Sequence, residues 1–516
     1  MPIARLRAGG ATLCLLAFLS MAAAPSAPAA QQWPSAGQNP SNTHNNAAED
    51  ELTTKNASKL GVKWTYQTHG DVSATPAVAG GYVYFPDWGG RLNKVNAKTG
   101  REAWSIRIDS LAGEPPGAVS RTGPAVDNGT VYIGDQNGAH LLAIDAATGA
   151  LKWSTQLDTH PLAILTESPV VVDGVIYEGV ASLEEAAASD PNYPCCNFVG
   201  SMNAVRASDG QLLWRTNVIP DNHGALDQYS GGGVWGSTAA VDRSSHTVYF
   251  ATGNNYSVPQ SAKDCQTNGG TNCAAPDDHV DAVLAADTAT GAIKWAFHAQ
   301  PGLDDWNVAC VFGSPHNCPD NPGPDYDFGS GPNLLTVNTG NTSRKLVGVG
   351  QKSGAYWALD AATGAVVWKN FAGPGSTLGG IEWGSATDGK RVYIAEANFY
   401  GIPYQLPNGQ TITSGSFAAL DPATGDTIWQ IADPSGSQDL GALSSANGIV
   451  FAGSMSGTMY AIEAATGHVL WSFAGAGSSI AGPAIVDGTV YWGNGYAHLG
   501  IPGYTGSTTF YAFATK

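Results

Sequence analysis

The sequence predicts an all-β fold: an eight-bladed β-propeller with tryptophan-docking repeats, closed by pairing of its N- and C-terminal segments. Three observations predict it. A Gly/Trp repeat recurs seven times, and an eighth copy is split between the two chain ends. The composition suits many short strands joined by tight turns, with 65 Gly and 15 Trp in 516 residues and only 13% charged residues.

The repeat is an apolar strand, usually ending Ala-x-Asp, with a Gly four residues on and a Trp four residues beyond that. Its glycines are Gly100, Gly149, Gly210, Gly291, Gly364, Gly425 and Gly467, and its tryptophans Trp104, Trp153, Trp214, Trp295, Trp368, Trp429 and Trp471. A period of about 40 residues or more, with a glycine turn between two apolar strands, marks propeller blades. The segments lack the helical period of about 3.6 residues that a solenoid of helices needs. The Asp-x-x-x-Gly stretch reads as a hairpin turn in which Gly takes the positive φ. Each Trp is expected to insert between neighbouring blades and to give its indole N–H to a backbone acceptor, a packing role with no catalytic meaning.

The eighth copy closes the ring. Tyr511-Ala512-Phe513 matches Tyr460-Ala461-Ile462 but stops before any Trp, and Leu60-Gly61-Val62-Lys63-Trp64 supplies the second half. Pairing them hides both edge strands. Because every blade leans on its neighbours, residues 31–516 are expected to form one domain. The spacing between tryptophans is longest from Trp214 to Trp368, so insertions and any site should gather in the middle blades.

Ahead of the repeats, Arg5 and Arg7, an apolar run from about Ala11 to Met21, and Ala27-Pro28-Ala29 read as a secretory signal spanning residues 1–30. The mature chain is therefore expected in the periplasm or outside the cell. No later apolar run nears the roughly 18 residues that cross a bilayer, so no membrane span is expected. Lys+Arg 24 against Asp+Glu 42 gives a net charge of −18, which disfavours nucleic acid and anionic membranes and suits a neutral substrate or a basic protein partner. Cys265 and Cys273 bracket one loop and Cys310 and Cys318 another, as local disulfides would. The adjacent Cys195 and Cys196 either form a strained vicinal disulfide or find partners elsewhere.

This docking repeat, eight times over, resembles the pyrroloquinoline-quinone (PQQ) dependent quinoprotein alcohol dehydrogenases across essentially the whole mature chain. Tyr193-Pro194-Cys195-Cys196-Asn197-Phe198 and Pro324-Asp325-Tyr326-Asp327-Phe328-Gly329 resemble the polyvinyl alcohol dehydrogenase branch. The resemblance implies a flat quinone over an indole floor, a hard cation at its carbonyl and a carboxylate base beside the reacting carbon. Trp235 in Gly233-Val234-Trp235-Gly236 matches the floor, and Asn254 in Thr252-Gly253-Asn254-Asn255 matches a cation-binding amide. Glu184 aligns best with the family's metal-binding Glu, with Glu185 nearly as good. Asp325 matches the general base and is also an expected metal ligand, and Asp327, two residues on, points the same way along an extended chain and joins the expected metal ligands.

Arg121, Thr166 and Lys352 stand where the family holds the quinone's carboxylates and oxygens, and Cys195 and Cys196 are its expected cover. In methanol dehydrogenases the adjacent cysteines come just before the Arg, whereas Pro115-Pro116 occupy that stretch here. Amide and carboxylate oxygens suit calcium, and the second Asp at this offset also occurs in lanthanide users. The activity implied is oxidation of an alcohol, polyvinyl alcohol or its oligomers foremost. No Cys-x-x-Cys-His haem motif occurs, so the expected electron acceptor is a separate c-type cytochrome. Two other readings stay open: a non-enzymatic scaffold of the outer-membrane assembly type, which shares the Trp repeat, and a quinoprotein sugar dehydrogenase.

Overall fold

Eight sheets of four antiparallel strands follow one another along the chain, two of them extended by a short extra strand. The structure, a computed structural model, describes residues 1–4, 31–111, 113–236, 238–300, 302–312, 316–339 and 342–516. Seven blades are continuous in sequence, at 77–107, 125–156, 170–217, 240–298, 333–371, 386–432 and 444–474. The eighth joins Ala484–Val486, Thr489–Trp492 and Thr509–Thr515 to Leu60–Gln67 from the other end of the chain, as the split repeat predicts.

The tryptophans behave as blade-to-blade pins. Trp104 Nε1 donates to the Ala146 carbonyl of the following blade at 3.2 Å. The bond repeats at 3.0–3.1 Å from Trp153 to Ala207, Trp214 to Thr288, Trp295 to Ala361, Trp368 to Pro422 and Trp429 to Ala464. Trp471 to Leu60 and Trp64 to Ala97 carry it across the junction of the chain ends. Each outer strand is bulged beside its Trp, for example between Leu151 and Trp153, and a bulge re-aims a side chain out of the regular pleat.

The repeat's glycine has a second reason besides its turn. Gly291 has φ 73°, and a Cβ there would lie 2.6 Å from the Trp214 ring of the preceding blade. Only Gly lets the indole settle on the turn. The repeat's Asp organises the same turn: Asp287 Oδ1 accepts from the N–H groups of Ala289 and Thr290 and from the Thr290 hydroxyl.

The segment 33–46 was not foreseen and plugs one mouth of the ring. The backbone N–H groups of Val78, Val126, Val241, Leu334, Thr387 and Ser445 donate in turn to the carbonyls of Trp33, Pro34, Pro40, Ser41, Thr43 and His44. Asn46 Nδ2 then reaches the Ile485 carbonyl of the eighth blade. One short chain thereby touches the innermost strands of seven blades.

All three cysteine pairs are disulfides: Cys195 with Cys196, Cys265 with Cys273, and Cys310 with Cys318. The middle-blade insertions carry the helix Gln260–Thr267 and both loop disulfides. Residues 31–516 form one compact unit. Apart from its first four residues, the expected leader lies outside the described residues. No helix among the described residues is long and apolar enough to cross a membrane.

Candidate active site

Segments that enter the inner strands of successive blades meet around a cavity of about 210 Å³ whose wall includes Arg121, Thr166, Glu185, Trp235, Asp327 and Lys352. The exposed Leu378 and Leu499, with Ile501, make its rim apolar, and the buried Leu440 adds to the wall. Arg121, Thr166 and Trp383 also line a smaller void of about 40 Å³ that contains Ala36 and His44 of the plug. These three residues therefore form the partition between cavity and plug.

Lys352 is the hub. Its Nζ lies 2.9 Å from Asp325 Oδ1, 3.1 Å from Asp327 Oδ2 and 5.3 Å from the Trp235 ring centre. Asp327 also accepts Trp235 Nε1–H on Oδ2 at 2.9 Å and the Asn254 backbone N–H on Oδ1 at 2.8 Å. Three donors thus fix the carboxylate in one orientation. Asn254 lies three residues past the end of the strand Thr247–Ala251, is buried and is not on the cavity wall, and its Nδ2 gives both protons to backbone carbonyls, those of Asn255 and Trp306. That arrangement sets the amide's orientation and leaves its oxygen as the available acceptor. At Gly329 an added Cβ would lie 2.8 Å from Trp235 Cη2, so this glycine is what seats the indole.

Three expectations need correction. Glu184 and Glu185 open a one-turn helix, Glu184–Ala187, and neighbours on a helix diverge by about 100°, so only one of them can face the cavity. Glu185 faces it. The Glu184 carboxylate instead accepts the backbone N–H groups of Asn197 and Phe198 and the Tyr193 hydroxyl, with His160 at 3.6 Å. Burial opposes its ionisation, yet bonds from His160, Asn197 and Phe198 outweigh burial and hold this carboxyl below its ordinary value.

Asp325 is also displaced from its expected place. It is buried behind Lys352 and does not line the cavity, whereas Asp327 does. Its backbone is left-handed, φ 56°, with its N–H given to Asp304, so the alternation of an extended chain fails at this residue. The disulfide of Cys195 and Cys196 packs with Phe198, Ala188 and Tyr256 and is not on the cavity wall, which leaves its expected covering role without a surface to cover. The anchoring of Asn197 and Phe198 by Glu184 draws this loop inward.

The charge of the site tests whether a cation fits. Glu185, Asp325, Asp327 and Glu382 stand against Lys352 and Arg121, four carboxyls to two cations. Burial, first of all, and the neighbouring acids push Glu185 up to about 8 despite Lys352, and burial pushes Glu382 up to about 7. The same acids hold the Lys352 ammonium well above its ordinary value against the effect of burial. Glu185 Oε1 is buried without a hydrogen-bond partner. An uncompensated carboxylate oxygen of Glu185 and the carboxylate of Asp327 on one cavity wall are oxygen donors of the kind a hard cation takes. For a flat anionic ring, Trp235 offers a face, Arg121 a charge and Thr166 a hydroxyl. Arg121 itself lies 4.2 Å over the Trp383 ring, and the Thr166 hydroxyl is turned towards the Trp235 carbonyl at 3.2 Å.

Sequence reasoning missed Glu382, Trp383, Tyr256 and Tyr496, all on the cavity wall. Trp383 carried a usable signal: like Trp235 it precedes a Gly and falls outside the docking repeat. The two rings meet edge to face, with centres 5.3 Å apart.

Comparison with known proteins agrees with this architecture. The PQQ_2 family profile, described as outer membrane protein assembly factor BamB, matches residues 43–297 and 413–499, so the chain belongs to this family of propellers. Its relatives include polyvinylalcohol dehydrogenases and quinohemoprotein alcohol dehydrogenases. The chain is 29% identical over 478 residues to a polyvinylalcohol dehydrogenase of a Pseudomonas species, covering 86% of this chain and 70% of that one. It is also 29% identical over 485 residues to the polyvinylalcohol dehydrogenase of a Sphingopyxis species, covering 85% and 69%. The crystal structure of quinohemoprotein alcohol dehydrogenase from Comamonas testosteroni shares the fold, with a TM-score of 0.70, 21% identity, and coverage of 94% of this chain and 80% of that one.

Proposed function

We propose that this protein is a PQQ-dependent dehydrogenase that oxidises an alcohol to a carbonyl compound, using a hard cation, calcium or a lanthanide. The observation that carries this reading is the meeting of Asp327, Lys352 and Trp235 with the unpartnered oxygen of Glu185 in one apolar-rimmed cavity. When bound, the quinone supplies a two-electron acceptor and the cation polarises its carbonyl.

The chain's own residues then have defined tasks. Glu185, the Asn254 amide oxygen and Asp327 would hold the cation. Trp235 gives the ring a stacking face, and Arg121, Thr166 and Lys352 meet its carboxylates and oxygens. Asp327, on the cavity wall, takes the hydroxyl proton of the alcohol, while Lys352, pinned from behind by Asp325, orients it. Leu378, Leu499 and Ile501 favour an alcohol on an alkyl chain over a sugar and keep bulk water from the reacting carbon.

Polyvinyl alcohol and its oligomers are the leading substrates, on the strength of the two relatives. Export to the periplasm or medium and electron transfer to a c-type cytochrome complete the proposal, and a chain of net charge −18 favours a basic partner. A purely scaffolding propeller of the assembly-factor type has no need to bury an excess of carboxyls around one lysine.

A panel assay tests the proposal. Purified protein reconstituted with PQQ and either calcium or a lanthanide should reduce a dye with secondary alcohols and polyvinyl alcohol oligomers. A preference for sugars, or no turnover with any alcohol, would overturn it.

A further inference from the structure

A second cluster of buried acids lies outside the cavity, at the hairpin turn of the second blade. Asp135 follows the strand Thr130–Gly134 and His140 opens the strand His140–Asp145, so the turn sets them side by side. Glu114 reaches them from the loop that leads to Arg121. One ligand atom from each of the three residues falls within 4.8 Å of the others. Asp135 Oδ2 is 3.3 Å and Glu114 Oε1 3.7 Å from His140 Nδ1. The two acidic side chains are 0% exposed and the imidazole 15%.

The protein's own donors do not satisfy this cluster. Asp135 Oδ1 accepts the His140 backbone N–H at 2.7 Å, and a protonated Nδ1 can serve Asp135 Oδ2. Both oxygens of Glu114 remain without a hydrogen-bond partner. One N–H cannot serve two carboxylates well, and two buried acids this close ionise together only with a cation between them. Among the described residues no lysine or arginine forms an ion pair with Glu114 or Asp135.

We infer that Glu114, Asp135 and His140 form a divalent transition-metal site, separate from the proposed cofactor cation. The spacing suits it: bonds of about 2.0–2.2 Å in tetrahedral geometry put ligand atoms roughly 3.3–3.6 Å apart. An imidazole nitrogen with two carboxylates favours Zn²⁺ or a similar ion over calcium, which takes oxygen ligands. The site buttresses the cofactor cavity. The turn is tied to the Arg121 loop by Gln136 N–H to the Val119 carbonyl and by Val119 N–H to Asn137 Oδ1. It is tied to the Thr166 segment by Leu165 N–H to the Asp135 carbonyl. A bound ion would fasten two walls of the cavity to one point.

Cobalt is the probe. Protein stripped with a chelator and titrated with Co²⁺ should bind one ion with visible d–d absorption, displaced by Zn²⁺ but not by equimolar Ca²⁺. Glu114→Gln and His140→Ala should each weaken Co²⁺ binding at least tenfold with the circular dichroism unchanged. If either variant fails to fold, Asp135→Asn replaces it and should weaken Co²⁺ binding likewise, while Glu185→Gln, which alters the cofactor cluster alone, should still bind one Co²⁺; loss of Co²⁺ binding in Glu185→Gln would place the ion in the cofactor cavity and overturn the inference. Folded protein that binds no Co²⁺, or binding unchanged in both Glu114→Gln and His140→Ala, would overturn the inference.

Discussion

Asp325 and Asp327 are two residues apart, and both touch Lys352 Nζ, at 2.9 and 3.1 Å. Their chemistry is nevertheless unequal, because only Asp327 lines the cavity. Asp327→Asn should lower kcat by about 10²–10⁴ while the quinone still binds, whereas Asp325→Asn, which loosens Lys352, should cost clearly less; steady-state dye reduction with both variants decides it. The neighbouring glutamates divide in the same way. Glu184→Ala leaves the buried Phe198 N–H and the part-buried Asn197 N–H without their acceptor and should lower unfolding free energy by about 1–3 kcal/mol, measured in urea, with little direct effect on the cation. The residue types of this site were legible in the sequence. Which member of each acidic pair faces the cavity was not, because that depends on a left-handed backbone at Asp325 and on the phase of a four-residue helix.

Among the elements, the blade was the most legible part of the chain, since its Gly and Trp answer to each other physically. The turn needs a positive φ, and the indole of the preceding blade needs a surface without a Cβ. Gly291→Ala violates both requirements and should destabilise the protein by more than the roughly 1 kcal/mol of a simple left-handed turn. Trp295→Phe keeps most of the apolar burial but removes one of the two hydrogen bonds to the Ala361 carbonyl, which the Tyr249 hydroxyl also meets, and should cost about 0.5–1.5 kcal/mol; urea unfolding of both variants measures these losses. The bulges beside the tryptophans left no trace in the sequence, because a bulge is a matter of register and not of residue type.

For the whole molecule, the plug decides how the cavity is closed from below. It escaped sequence analysis because it moves from blade to blade with only one or two backbone bonds to each of the seven it meets, so neither a strand nor a helix period appears between Trp33 and Asn46. Burial pushes His44, on this segment, down to about 4, with only a weaker opposing pull from the Leu443 backbone. Its unfolded value is near 6.5, so the unfolded chain takes up the proton first, and stability present above that pH is lost as pH falls towards 4. His44→Gln should abolish a slope worth up to about 3 kcal/mol, read as the difference between wild-type and variant urea midpoints at pH 7 and pH 4.5.

The central claim, that this ring holds a quinone and a cation against Asp327, is tested most directly by alcohol-dependent dye reduction on chelated protein given PQQ with and without calcium or a lanthanide. Turnover that needs both additions and falls at least a hundredfold in Asp327→Asn is the expected result. Turnover without PQQ or without any cation, or full turnover in Asp327→Asn, would contradict it.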